Sequence, residues 1–213
     1  IPDIIVSDIM MPVMNGIMMC KILKEDVRTS HIPIILLTAK DSLQDKEEGY
    51  QVGADSYLTK PFSATLLHSR INNLLESRKR LTERFNTSTP HHNMDEKRAL
   101  LAESLNKLDN EFIEKINQLI EARLSSEKID IGYLADNMCM SKSTLYRKMK
   151  ALTGLSTNEY VRKIKMQHAE RLLLEGRYNI SEVAFRVGIN SVVYFRQCFK
   201  EEFGVLPSEY LKQ

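Results

Sequence analysis

Ile4-Ile5-Val6-Ser7-Asp8-Ile9-Met10-Met11-Pro12-Val13-Met14-Asn15-Gly16 is the stretch whose reading decides the fold of the first third of this chain. Its opening run of apolar, β-branched residues reads as a buried strand that ends on the carboxylate of Asp8. Two methionines follow, then a proline that blocks local helix formation and an Asn15-Gly16 pair that reads as a turn. In an open parallel α/β sheet, chemistry sits in the crevice beyond the carboxyl ends of the strands. Asp8 is therefore a carboxylate presented at a strand tip, beside a stiff loop.

Working outward, strand and helix patterns alternate three times. The residues predict a helix over 15–27, with Ile17, Met18, Ile22 and Leu23 as its apolar positions. A second strand covers 32–38, a charged helix lies near 43–52, and a third strand covers 55–60 before Pro61-Phe62. Ser63 reads as the cap of a long helix with apolar Leu66, Leu67, Ile71, Leu74 and Leu75. Such short-period alternation implies a parallel sheet with right-handed crossovers. The three strand tips then carry Asp8, Thr38 and Lys60: a carboxylate, a hydroxyl and an ammonium facing one crevice. A lone strand-end aspartate is more often a turn or cap residue; the trio is harder to dismiss.

On these residues the stretch resembles a response-regulator receiver domain. Asp8 matches the phosphoacceptor of the D-x-M-M-P pattern, Thr38-Ala39 the switch hydroxyl, Tyr57 the switch aromatic, and Lys60-Pro61 the lysine and its usually cis proline. The resemblance implies a flavodoxin-like α/β fold of which this chain supplies three parallel strands, the family's strands 3–5. Asp8 is then the nucleophile that forms an acyl phosphate. Lys60 neutralises developing phosphoryl charge, and Thr38 donates to a phosphoryl oxygen and vacates space for Tyr57. Mg²⁺ in the intact receiver would be held by Asp8 and the Met10 carbonyl, together with an acidic pair that is missing from this chain. Little metal binding is expected of these residues alone. Haloacid-dehalogenase phosphatases also use a strand-end Asp but need a second Asp two residues on, where Met10 stands here. The chain reads as a fragment that begins at the third strand, with an open apolar edge on Ile4–Asp8. Upstream residues or another chain would complete the receiver.

Across the 213 residues, composition is that of an ordinary globular protein, 43% hydrophobic and 27% charged. Apolar runs are too short for a membrane-spanning helix, and no basic start with an apolar core marks a signal peptide. Cys20, Cys139 and Cys198 are widely spaced and odd in number. They read as small buried hydrophobes in a reducing, cytoplasmic setting rather than as disulfides or zinc ligands. Anchoring of the full-length protein in the inner membrane through upstream segments is left open. Net charge is 0 over residues 1–80, −2 over 81–125 and +4 over 126–213. A basic final third points to a polyanion.

Residues 83–108 read as a connector. Asn86–Asn93 lacks apolar periodicity and is expected to be a loop, flanked by helical patterns over 78–85 and 95–108. His91-His92 reads as a solvated linker pair rather than a metal site.

Residues 131–154 and 180–204 repeat each other. Ile131, Leu134, Ala135, Met138 and Ser141 recur 49 positions on as Ile180, Val183, Ala184, Val187 and Asn190. After one inserted residue Leu145, Arg147, Met149, Lys150 and Gly154 recur as Phe195, Gln197, Phe199, Lys200 and Gly204. Each unit is a short helix with a buried Ala, a capped turn and a second helix closed by Gly, that is, a helix-turn-helix. Off the apolar face of the second helices stand Ser143, Tyr146, Arg147 and Lys150, then Ser191, Val192, Arg196, Gln197 and Lys200. These donors and cations suit phosphates and base edges, and Val192 and Val193 suit thymine methyls. Between the units, Ser156–Glu159 is a capping box opening a rod to about residue 175.

Residues 109–213 resemble the AraC-type DNA-binding domain. The resemblance rests on Ile180-Ser181-Glu182-Val183-Ala184, Tyr194-Phe195, Phe199-Lys200, Phe203-Gly204 and Pro207-Ser208-Glu209-Tyr210. Gly188-Ile189 stands where that family often has Gly-Phe. A receiver part (1–82), a connector (83–108) and an all-α double helix-turn-helix domain (109–213) resemble the output end of a hybrid two-component regulator. The resemblance implies double-stranded DNA and a cognate histidine kinase as partners, homodimerisation, and no catalytic activity beyond accepting phosphate on Asp8. A reading of another class keeps the receiver part as a protein-interaction or phosphate-sink module without DNA output.

Overall fold

The computed structural model describes residues 2–39, 51–86, 105–125 and 129–211. The expected helix near 43–52, save its last two residues, lies outside the described residues, as do the 87–93 loop, His91-His92 and residues 95–104.

Three parallel strands, β1 (Ile5–Asp8), β2 (Ile34–Thr38) and β3 (Ser56–Thr59), form a sheet in the order β1-β2-β3. Asp8 pairs with Leu37, and Thr38 with Thr59. Helix α1 (Gly16–Glu25) crosses from β1 to β2. The sheet core is Ile9, Ile17, Cys20, Ile34, Leu36, Ala54 and Tyr57. Asp55 ties it together at the other end: its carboxylate accepts from the Ile34 amide at 2.9 Å and pairs with Lys24 at 2.7 Å. β1 is an edge strand in the described sheet, with Val6 partly exposed.

Some sequence expectations are corrected here. Asn15-Gly16 is not a turn: Asn15 caps α1, its side chain accepting from the Met18 amide at 2.7 Å, and Gly16 is the first helical residue. Positive φ in this loop falls instead on Val13, at 70°. Met18 and Ile22, expected to pack, are exposed on α1, as are Leu66 and Leu75 on α2 (Ala64–Asn86). Among the described residues no layer covers those faces. Helix α2 runs unbroken through residue 82.

The remainder is helical: α3 (Lys107–Glu121), α4 (Ile131–Asn137), α5 (Lys142–Thr153), α6 (Thr157–Leu174), α7 (Ile180–Arg186), α8 (Val192–Phe203) and α9 (Pro207–Tyr210). Ser156 opens α6 with the expected capping box. One core gathers α3, α4, α5 and the start of α6 around Phe112, Leu134, Leu145 and Tyr160. A second gathers the end of α6 with α7 to α9 around Ala169, Ala184, Phe195 and Phe199. Burying each phenylalanine contributes roughly 2–3 kcal/mol, and Phe199 also meets Phe203 and Tyr210 at ring-centroid distances of 4.5 and 5.5 Å.

The repeat is real and its register is sharpened. In each unit an amide after the turn donates to the buried alanine: Met140 to Ala135 and Ile189 to Ala184, both at 2.9 Å. Cys139 (φ 53°) and Gly188 (φ 67°) carry the left-handed residue of the two turns. Ser141 and Ser191 are the caps of α5 and α8, and Gly154 and Gly204 close them at φ 73° and 78°. Asn190 is therefore the inserted residue, and Ser141 corresponds to Ser191 rather than to Asn190. Cys139, on an exposed turn, also departs from the expected buried hydrophobe, while Cys20 and Cys198 conform.

Candidate functional site

At the tip of the sheet, Asp8 ends β1, Thr38 ends β2, and Lys60 follows β3 directly. The Lys60 amide donates to the Thr38 carbonyl at 2.8 Å, and the Ile9 amide to Leu37 at 3.0 Å, so the ladder continues past the strands and holds the tips level. Lys60 reaches across β2, two strand spacings or ~10 Å, and its ammonium pairs with the Asp8 carboxylate. The Met10 amide donates to the other Asp8 oxygen at 3.2 Å. Lys60 first, with help from the Met10 amide, holds the Asp8 carboxyl below its ordinary range. Thr38 is buried and its hydroxyl donates to the Ala39 carbonyl at 3.1 Å. Tyr57 is turned inward into the sheet core. The Lys60-Pro61 peptide is cis. Gly16 is required here because a Cβ on it would lie 2.3 Å from the Asp8 carbonyl oxygen. So the crevice brings Asp8 and Lys60 together, with Thr38 beside them and Tyr57 behind.

Receiver domains generally bind Mg²⁺. Its near-octahedral shell uses one or two carboxylates, and here the described residues offer one carboxylate already paired with a lysine and one backbone carbonyl. Among the described residues no group of three His, Cys, Asp or Glu could hold a metal. These residues do not make a metal site, and no step is derived through one.

The second candidate surface is formed by α5 and α8. Ser143, Tyr146, Arg147 and Lys150 are exposed on α5, as are Arg196, Gln197 and Lys200 on α8. Ser191 is also exposed, but its hydroxyl accepts from the Tyr194 amide as the helix cap. Val192 is half-buried, whereas Val193 is 77% exposed. By the corrected register Val193 is the counterpart of Ser143, and of the two valines expected to offer apolar base contacts it is the exposed one. Gln197 donates to Glu201 at 3.1 Å.

A polar network joins the two halves. Lys148 on α5 is fully buried; its ammonium bonds Asp109 of α3 at 2.5 Å, Ser30 at 2.9 Å and the Val27 carbonyl. Ser30 donates to Asp109 at 2.7 Å, and the Asn106 side chain donates to the Ser30 carbonyl at 3.1 Å. Burial pulls the Lys148 ammonium below its usual range, against the opposing Asp109 charge. Nearby, a cleft of about 300 Å³ separates Leu75 and Arg78 of α2 from Tyr146, Arg147 and Lys150 of α5. No sequence signal marked Lys148 as different from the exposed cations on either side of it.

Residues 1–72 match the response regulator receiver domain model, and residues 134–213 a helix-turn-helix domain model. Over 99% of its length the chain is 36% identical to "Histidine kinase P4" of Formosa agariphila, and it spans 15% of that protein. Over 35% of its length it is 50% identical to "Heme response regulator HssR" of Staphylococcus saprophyticus, covering 32% of that protein. Among solved structures, the C-terminal domain of AraT, a response regulator from Geobacillus stearothermophilus, is 31% identical at a TM-score of 0.44, covering 47% of this chain and 84% of that one. Among the described residues no helix is long and apolar enough to cross a membrane. The chain carries part of a response-regulator receiver domain followed by a helix-turn-helix domain.

Proposed function

We propose that this chain is the phosphoacceptor and DNA-reading end of a two-component transcription regulator. Its parts are a receiver portion over 1–82, a connector over 83–108 and a DNA-binding domain over 109–213. The observation that carries this reading is the pair of matching helix-turn-helix units at the two ends of α6. Eighteen residues at ~1.5 Å rise make a rod of ~27 Å, so the recognition helices α5 and α8 can enter successive major grooves on one face of a duplex, ~34 Å apart. Ser143, Tyr146, Arg147 and Lys150, then Ser191, Val192, Arg196, Gln197 and Lys200, with Val193 added, supply the contacts. Arg147 and Gln197 read base edges and Lys150 and Lys200 meet phosphates.

At the sheet tip, Asp8 accepts a phosphoryl group from the histidine of a cognate kinase, in the same full-length protein or a separate one. Lys60 balances the added charge, and Thr38 and Tyr57 move with it. In the intact protein Mg²⁺ would be completed by ligands beyond Asp8 and Met10. Phosphorylation favours homodimers on repeated half-sites, in the cytoplasm, where the DNA is. Apart from accepting phosphate, this part of the protein catalyses nothing.

The test is duplex selection from a random library, followed by titration of the selected DNA with the Arg147→Ala and Gln197→Ala variants. Each is expected to lose about 1–3 kcal/mol of discrimination at its base. Unchanged affinity and unchanged sequence preference in both would leave the receiver part as an interaction or phosphate-sink module.

A further inference from the structure

Two recognition helices on one rod read two grooves only if the second unit is held at one angle about the rod, and apolar packing alone does not supply that. The seam of α6 against α7 and α8 is Met166, Ala169 and Leu173. Apolar contact is non-directional, and a small residue such as Ala169 permits close approach at more than one rotation. Two lysines flank this seam on the helical wheel: Lys163 on one side and Lys165 on the other, each only 5% exposed. Lys163 pairs with Glu202 in the last turn of α8 at 3.3 Å. Lys165 donates to the carbonyl of Gly188, the left-handed turn residue between α7 and α8, at 3.3 Å. One turn before Lys165, Arg162 pairs with Glu201 of α8 at 3.6 Å.

Buried lysines are costly unless their partners are well placed, so burying two beside an apolar seam demands a structural return. The contacts span both ends of the second unit: the turn that enters α8 and the turn that leaves it. A body tied at two separated points on opposite sides of a seam cannot rotate about that seam.

We propose that Lys163 and Lys165 are positioning residues that fix the angle of α8 about α6, and so set the half-site spacing the protein accepts. This rests on the proposed DNA-reading function. One added base pair moves the second groove by ~3.4 Å along the duplex and ~35° around it, more than a 3.3 Å ammonium–oxygen contact survives.

The experiment uses the full chain and the duplex that the wild-type protein selects from a random library, with one or two base pairs inserted or removed between its half-sites. Wild type is expected to lose tenfold or more in affinity per altered base pair. In the Lys163→Met/Glu202→Met variant the pair is replaced by apolar groups of similar length, an exchange that is often neutral for stability. That variant is expected to bind the selected duplex a few-fold more weakly and to lose threefold or less on each altered spacing. The slope of affinity against salt should stay at the wild-type value, because Lys163 touches no phosphate. The Lys163→Glu/Glu202→Lys swap should restore the wild-type spacing penalty. If the double Met variant melts cooperatively and keeps the full penalty, the clamp is wrong while DNA reading stands. A wild-type chain that selects no two-part duplex overturns the proposed function and the clamp with it.

Discussion

The ammonium of Lys148 lies 2.5 Å from the Asp109 carboxylate, and both side chains are shut off from solvent, at 0% and 3% exposure. Lys148 belongs to the second helix of the first helix-turn-helix unit and Asp109 to the helix that precedes the repeat. Yet the same ammonium also reaches Ser30 and Val27 in the loop between α1 and β2. The pair thus joins the sheet and the helix-turn-helix half through shared charge. Removing one partner strands the other in a dry site. Lys148→Met should cost about 3–5 kcal/mol in urea unfolding, and Lys148→Met/Asp109→Leu should recover most of that loss. Additive losses in the double variant would contradict a coupled pair.

His31 beside this network gives a pH dependence. It is 4% exposed, and burial foremost, with the Lys148, Arg78 and Lys24 charges adding and Asp109 opposing, pulls its pKa from 6.5 to about 4. The folded state thus favours the neutral ring, so its stabilising effect is complete above the unfolded value of 6.5 and is lost as pH falls toward 4. Between pH 7 and pH 5 the predicted loss from this group is about 2 kcal/mol. Denaturation at the two pH values should show that loss in wild type and a smaller one in His31→Phe. Equal losses would assign the acid sensitivity elsewhere.

The loop beside Asp8 offers two substitutions of opposite sign. Gly16→Ala places a methyl against the Asp8 backbone oxygen, which cannot move without disturbing β1. A destabilisation of about 1–3 kcal/mol is expected. Val13 is fully exposed at φ 70°, a conformation that costs a β-branched residue about 1–2 kcal/mol. Val13→Asn should therefore raise the melting temperature, and a lower one would show that the valine is held by contacts rather than strained.

Lys200 is exposed on α8, one turn beyond Gln197, the residue proposed to read a base. As a phosphate contact, Lys200→Ala should weaken all duplexes alike and reduce the salt slope of binding by about one. A change in sequence preference at constant slope would mean that it reads a base.

Much of this was legible in the sequence because it is local. Strand tips at Asp8, Thr38 and Lys60 follow from short apolar runs ended by polar residues, and the Ser156–Glu159 capping box from hydrogen-bonding groups three residues apart. The repeat was legible too, but its register by side-chain type alone was one residue off at the turn. Only the shared amide bonds to Ala135 and Ala184 place the insertion at Asn190. Local chemistry likewise misread Asn15-Gly16: the same two residues make a turn or a helix start, and the choice depends on Gly16 packing against the Asp8 carbonyl.

By itself, then, the sequence determined the element order, the parallel sheet, the carboxylate at its tip, and two helix-turn-helix units on one rod. Periodicity, caps and breakers act over a few residues, and they suffice for these. Tertiary structure alone decided that Lys60 meets Asp8 across an intervening strand, and that Met18, Ile22 and Leu75 face outward. It also decided that Lys148, Lys163 and Lys165 are buried while their neighbours Arg147 and Lys150 are not. A lysine's place in or out of a core depends on whether a carboxylate or carbonyl arrives from a distant part of the chain. Sequence spacing carries no record of that encounter.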